Sequence, residues 1–268
     1  MSELACLDGR IAPADETFVP ATDEGLLRGD GVFEVIRVYD GAPFALADHL
    51  ARIERSAANL RLELPPTELL RDEALQLLAR RDEHFDGALR VVVTRGGRRL
   101  LLTELLPTSS ALASVRLGVV TFSPTRVLDG IKSLSYGGNM LASRLARERG
   151  FDEALLVTPH GRVLEAPTSS IFWVDHTGTL CTPPLDEHIL ASITRDRVLR
   201  LLEVEERPVT LDGIQEAAEA FLASTTREVQ AIAAIEDREL PTAHGERTGE
   251  ALQALRRHIE EELRAVQA

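Results

Sequence analysis

Apolar positions along the chain recur at strand or helix spacing, and the rhythm changes near the middle. Residues 30–39 mix β-branched and apolar side chains in a strand-like run, and Asp40-Gly41 is a turn signal after it. Pro43-Phe44-Ala45-Leu46 reads as the returning strand. Leu50, Ile53, Ala57 and Leu60 lie at helical spacing and predict a helix over 49–60 capped by Asp48. Pro65-Pro66 break the chain, and Thr67 is the expected cap of a helix over 68–81. Ala88–Thr94 reads as a strand stopped by Arg95-Gly96-Gly97-Arg98-Arg99, and 114–122 as another. This half predicts a sheet with two helices.

In the second half, Asn139–Arg149 is an Ala/Leu/Arg helix stopped by Gly150. Glu153–Thr158 and Val163-Leu164 read as a hairpin around Pro159-His160-Gly161. Ser170–Val174 and Thr179–Cys181 pair likewise around His176-Thr177-Gly178. Ser192-Ile193-Thr194-Arg195 opens a helix through Leu202. Strands follow at 204–209 and 220–223, with a short helix at 214–219 between them, and a helix over 249–266 closes the chain. No repeat, low-complexity segment or linker interrupts it. A boundary within 110–125 divides the chain into a small α+β domain, 1–114, and a larger domain, 115–268.

Composition narrows the class. With 268 residues, 44% hydrophobic and 27% charged, the chain is globular and long enough to bury a sizeable core. No apolar run approaches the roughly 18 residues of a membrane span, and the first residues lack the pattern of a signal peptide. Cys6 and Cys181 cannot form a disulfide framework or a cysteine zinc site, so a reduced, cytoplasmic setting is expected. A net charge of −13 argues against nucleic acid as a partner. Of the 30 basic residues, Lys132 alone is lysine and 29 are arginine. Arginine cannot form a Schiff base; lysine can.

Lys132 lies in Gly130-Ile131-Lys132-Ser133-Leu134-Ser135-Tyr136-Gly137-Gly138, among small and apolar residues. Partial burial there would free its amine as a nucleophile, whereas an exposed loop would leave it inert. Ser192-Ile193-Thr194 at a helix start and Ser224-Thr225-Thr226 after a strand are candidate anion sites, or an ordinary cap and turn. Glu165, before an apolar strand, is a carboxylate suited to a protonated heterocyclic nitrogen or to solvent. Arg52, facing inward, would pair with phosphate or carboxylate. No zinc, Walker, Rossmann or Gly-x-Ser-x-Gly pattern is present, and the histidines read as structural.

Six stretches, in this order, resemble the class IV aminotransferases, the fold-type IV pyridoxal phosphate enzymes. They are residues 23–34 (Asp-Glu-Gly-Leu-Leu-Arg-Gly-Asp-Gly-Val-Phe-Glu), His49-Leu50-Ala51-Arg52-Ile53, Lys132-Ser133-Leu134-Ser135-Tyr136, residues 165–172 (Glu-Ala-Pro-Thr-Ser-Ser-Ile-Phe), residues 190–196 (Leu-Ala-Ser-Ile-Thr-Arg-Asp) and Ser224-Thr225-Thr226-Arg227-Glu228. The resemblance runs from about Asp8 to Glu262. It implies an α+β, two-domain fold, a small α+β domain plus a larger pseudo-barrel domain. It also implies a homodimer with pyridoxal 5'-phosphate between the domains, and small amino acid and keto acid substrates. Lys132 would be the Schiff-base lysine and proton shuttle, and Glu165 the partner of the pyridine nitrogen. Arg52, the Ile193 and Thr194 N–H groups and Thr225 would hold the phosphate. Ser192 stands where the family usually has Gly, Leu190 would back the ring, and Tyr136 would reach the ring hydroxyl. Phe33, Val35, Arg37, Arg98 and Thr226 would face the substrate.

Within the family, Phe33-Glu34-Val35 is closest to the Tyr-Glu-Val of D-amino acid transaminases. Branched-chain enzymes typically have Gly where Val35 stands, and aminodeoxychorismate lyases a Thr whose hydroxyl assists elimination. The Arg-x-His of the D-amino acid branch is replaced by Arg98-Arg99-Leu100, so Arg98 or Arg37 is expected to hold the substrate carboxylate. The expectation is an aminotransferase, with D-amino acids favoured over the lyase and branched-chain alternatives.

Overall fold

The computed structural model describes residues 3–106 and 113–267. The chain divides into two compact units. The first is residues 1–107, 130–136 and 262–268; the second is 108–129 and 137–261. A single cut after residue 114 would put Lys132 with the larger domain. Its segment instead groups with the first unit, because it docks on a strand there.

The first unit holds β1 (Leu4–Leu7), β2 (Arg10–Pro13), α1 (Glu24–Arg28), β3 (Gly31–Tyr39), β4 (Ala42–Pro43), α2 (Leu46–Asn59), α3 (Thr67–Leu78), β5 (Gly87–Thr94) and β6 (Arg99–Glu104). The strands form one antiparallel sheet in the order β2-β1-β6-β5-β3-β4. Strand side chains alternate between faces. Val32, Ile36 and Val38 of β3 and Leu89, Val91 and Val93 of β5 point to one face. There they pack with Leu50, Ile53 and Ala57 of α2 and Leu70, Ala74 and Leu77 of α3. Phe33, Val35 and Arg37 therefore face the other way.

Two boundaries differ from expectation. The returning strand is only Ala42–Pro43, because Ala45 adopts φ 54° and turns the chain straight into α2. The helix starts at Leu46, so Asp48 lies inside its first turn rather than capping it. Likewise Thr67 is the first residue of α3, whose cap position is Pro66.

The second unit holds β7 (Val115–Thr121), α4 (Gly137–Glu148), β8 (Glu153–Val157), β9 (Ser170–Val174), β10 (Leu180–Thr182), α5 (Ile193–Leu201), β11 (Glu205–Glu206), α6 (Leu211–Gln215), β12 (Glu219–Ser224), β13 (Glu228–Ile235) and β14 (Arg238–Glu239). α7 (Glu246–Gln267) starts here and ends in the first unit. The eight strands form one curled sheet, ordered β11-β10-β9-β12-β13-β7-β8 with β14 on β13. β8, β9 and β12 are buried along their whole length, as strands covered on both faces must be. Phe172 and Phe221 stack across β9 and β12 with centroids 4.9 Å apart. The strand expected over 204–209 shrinks to Glu205–Glu206, since Pro208 has no N–H to donate. The helix expected over 214–219 lies at Leu211–Gln215, capped by the Thr210 hydroxyl, and Glu219 opens β12 instead.

Candidate active site

Lys132 is fixed from both sides by its own backbone. Its carbonyl accepts from the Phe33 N–H at 3.1 Å, and its N–H donates to Ser56 Oγ at 3.1 Å. Ser133 bridges to Val32, and the Leu134 N–H donates to the Gly31 carbonyl at 2.9 Å. Glycine is required at position 31, where a Cβ would come within 2.6 Å of both Leu134 Cδ1 and the Val93 carbonyl. The half-buried side chain of Lys132 then lies over two aromatic rings. Nζ is 4.4 Å from the Phe33 centroid and 5.7 Å from that of Tyr136. The two rings meet edge to face at 5.3 Å. The outcome is an amine held against the faces of two aromatic rings.

On the opposite face of β3, Glu34 is 1% exposed among the core residues. Arg52 reaches it from α2 with Nε at 2.7 Å and Nη2 at 2.6 Å, and His49 with Nδ1 at 2.7 Å. Burial pushes the Glu34 carboxyl up, but the Arg52 charge and hydrogen bonds, with those of His49, outweigh it and lower the pKa to about 2. Burial lowers His49 against the pull of Glu34. Arg52 thus faces inward as expected, yet two of its donors serve Glu34. His49 is part of this buried network, not a bystander.

The expected substrate residues divide. Phe33 and Val35 share the Lys132 face of the sheet. Arg37 is tied down, its Nη1 donating to the Val38 and Gly87 carbonyls and its Nη2 paired with Asp86. Arg98 pairs with Asp8 at 2.7 Å. A cation that sequence reasoning missed is Arg90, opposite Val35 on β5, with its guanidinium carbon 5.7 Å from the Phe33 centroid. Glu104 of β6 holds it with two hydrogen bonds, 2.8 and 3.1 Å.

In the second unit, Glu165 is half-buried and accepts from the Leu190 N–H at 3.3 Å, which brings those two expected residues together. Ser192 caps α5 by accepting from the Arg195 N–H at 3.3 Å, so Ile193 and Thr194 form its first turn, where N–H groups lack helical acceptors. α5 packs on β12, whose end leads into Thr225 and the exposed Thr226. Arg227 anchors that turn through Glu153, a buried carboxylate 2.7 Å away that also accepts from Ser143.

Ser169, Ser170 and Ser224 have buried hydroxyls with no hydrogen-bond partner among the described residues. Ser170 lies opposite Ala223 on the paired strands, so two of the three come from the same strand ends. Each such hydroxyl costs about 1–3 kcal/mol unless a ligand or water satisfies it. A carboxylate, a helix N-terminus and unpartnered hydroxyls fit the ring nitrogen, phosphate and polar substituents of pyridoxal 5'-phosphate. No cluster among the described residues could hold a metal ion.

The first unit thus presents a lysine amine against two aromatic rings, and the second a carboxylate, a helix start and buried hydroxyls suited to pyridoxal 5'-phosphate. Residues 31–235 match the family described as amino-transferase class IV, and the chain belongs to that family. It is 36% identical over 254 residues to the "Putative branched-chain-amino-acid aminotransferase" of Methanocaldococcus jannaschii, covering 87% of this chain and 88% of that one. It is 34% identical to a D-alanine aminotransferase of Bacillus licheniformis, covering 85% and 87%. The holo-form of the branched-chain amino acid aminotransferase from Thermobaculum terrenum superposes with a TM-score of 0.85 at 29% identity, covering 97% and 94%. The protein is a class IV aminotransferase with pyridoxal 5'-phosphate as cofactor.

Proposed function

We propose that this enzyme moves an amino group between a D-amino acid and a 2-oxo acid in two half-reactions, with Lys132 as the catalytic residue. The observation that carries the reading is the pinned Lys132 amine over Phe33 and Tyr136. Bound pyridoxal 5'-phosphate supplies an electron sink for the carbanion left when the substrate α-carbon loses its proton. Lys132 Nζ would take that proton and carry it from the substrate carbon to a cofactor carbon. Glu165 keeps the ring nitrogen protonated, and Leu190 packs behind the ring. The Ile193 and Thr194 N–H groups, with Thr225 and Arg52, hold the phosphate, and Ser192 orients the helix start that receives it. Tyr136 orients the ring hydroxyl. Phe33, Val35 and Thr226 line the substrate.

Val35 supports the transferase over the lyase, since it has no hydroxyl to assist elimination. The D-alanine aminotransferase relative supports the D-amino acid. The branched-chain relative supports the rival, an L-branched-chain donor. The test mixes the cofactor-loaded enzyme with D-alanine, L-leucine or L-glutamate and follows the absorbance of the bound cofactor. Conversion with D-alanine alone supports the proposal, and conversion with the L-acids alone replaces it by the branched-chain reading. Conversion with none refutes it, and pyruvate release from aminodeoxychorismate is then the assay for the lyase.

A homodimer in the cytoplasm belongs to the same proposal. Phe18, Leu26 and Leu27 are exposed apolar side chains of the kind a second copy covers, and sedimentation velocity tests it. The unpaired Cys6 and Cys181 suit a reducing compartment, and no helix among the described residues is long and apolar enough to cross a membrane.

A further inference from the structure

We propose that Glu104 restricts the substrate site to acids with a single carboxylate by capping Arg90. The inference rests on the reading that chemistry takes place at Lys132.

Arg90 stands opposite Val35 on β5, and Phe33 is two residues from Val35 on β3. Strand alternation puts all three on the face that carries Lys132. Nζ lies 4.4 Å and the Arg90 guanidinium carbon 5.7 Å from the one Phe33 centroid, so the two cations are at most about 10 Å apart. The end carbons of a five-carbon dicarboxylate lie about 5 Å apart, from C–C bonds of about 1.5 Å. A dicarboxylate engaged at Nζ is long enough for its far carboxylate to come within reach of Arg90, which would bind it if its charge were open.

Glu104 closes it. Its two oxygens take Nε and Nη2 of Arg90 in a bidentate fork, the geometry a substrate carboxylate would need. The pair is part-buried, at 35% and 25% exposure, so water screens it incompletely. The other two candidate cations are also held, Arg37 by Asp86 and Arg98 by Asp8. A second carboxylate entering here meets the Glu104 charge, while a neutral side chain meets Phe33 and Val35. Selectivity arises from a repulsive element built against the wrong substrate.

The test measures binding of glutarate and butyrate, which do not react, to the cofactor-loaded enzyme by calorimetry. The proteins are wild type, Glu104→Gln, Glu104→Asp and the double variant Glu104→Gln, Arg90→Met. Acceptor kinetics with 2-oxoglutarate and pyruvate run in parallel. Glu104→Gln keeps an oxygen for Arg90 and removes the charge. It should tighten glutarate at least tenfold, leave butyrate within twofold, and lower KM for 2-oxoglutarate relative to pyruvate. Glu104→Asp should restore the discrimination, and adding Arg90→Met should abolish the gain. Unchanged glutarate affinity in Glu104→Gln, or equal changes for both acids, overturns the proposal. A glutarate gain in a protein that transaminates no amino acid upholds the capped cation and refutes the reading on which it rests. Transamination without the gain does the reverse.

Discussion

Replacing Glu34 by Gln tests whether the buried Glu34–Arg52–His49 cluster is a principal support of the first unit. The amide keeps the volume and loses the charge. Glu34 titrates near 2 in the folded chain against an ordinary 4.5. At about 1.4 kcal/mol per tenfold, that difference contributes about 3 kcal/mol at neutral pH. A second route agrees: breaking a buried ion pair by removing one partner costs about 3–5 kcal/mol, because the other charge stays buried, and Arg52 is only 6% exposed. The sign with pH follows from the lowered pKa. The contribution is complete above pH 4.5 and is lost as pH falls toward 2, where both folded and unfolded carboxyls are protonated. His49, held below its ordinary 6.5, adds a separate loss starting below that pH, because the unfolded ring takes the proton first. Urea unfolding followed by circular dichroism at pH 7 and pH 3 should show the variant about 3–5 kcal/mol less stable at pH 7 and the deficit narrowing at pH 3. Hydrogen exchange should accelerate in β3 and α2. A deficit below 1 kcal/mol at pH 7, or one that is the same at both pH values, refutes the reasoning.

Three further outcomes are expected. Lys132→Ala should lower transamination by at least about 10³-fold while the urea midpoint changes little, since its side chain is only half-buried; retained turnover would remove Lys132 from the mechanism. Ser192→Ala should cost about 1 kcal/mol by thermal unfolding through the lost cap bond to Arg195, and Ser192→Gly only a few tenths; equal losses would mean that the cap bond contributes nothing. Phe221→Ala should cost about 3–5 kcal/mol, because Phe221 is fully buried and stacked on Phe172; denaturant melts of the two proteins measure it.

The candidate residues of the site stood out along the chain. The sole lysine was conspicuous, and the Glu165, Ser192-Ile193-Thr194 and Thr225 stretches fall on a strand approach, a helix start and a strand end. Glu34 also left a signal that went unread. It occupies the buried parity of β3, between Val32 and Ile36, where a charge demands a partner. His49 and Arg52, three residues apart, are in the buried stripe of α2 that supplies it. β6 and β13 were not predicted, although Leu100-Leu101-Leu102 and the apolar run after Glu228 were in view. Each is recognisable as a strand chiefly by the neighbour it pairs with.

Periodicity, turn residues and the order of short stretches are local properties, and the sequence by itself determined them: two helices behind a sheet in the first unit, a capped helix at Ser192, a single lysine and the family. Which charges meet is not local. Arg52 finds Glu34 eighteen residues away and Arg90 finds Glu104 fourteen away, across elements whose register decides the face each side chain takes. A slip of one residue on β5 would turn Arg90 into the core and leave Glu104 without its partner. Which arginine meets which carboxylate is therefore set by sheet register, which only the tertiary structure decides.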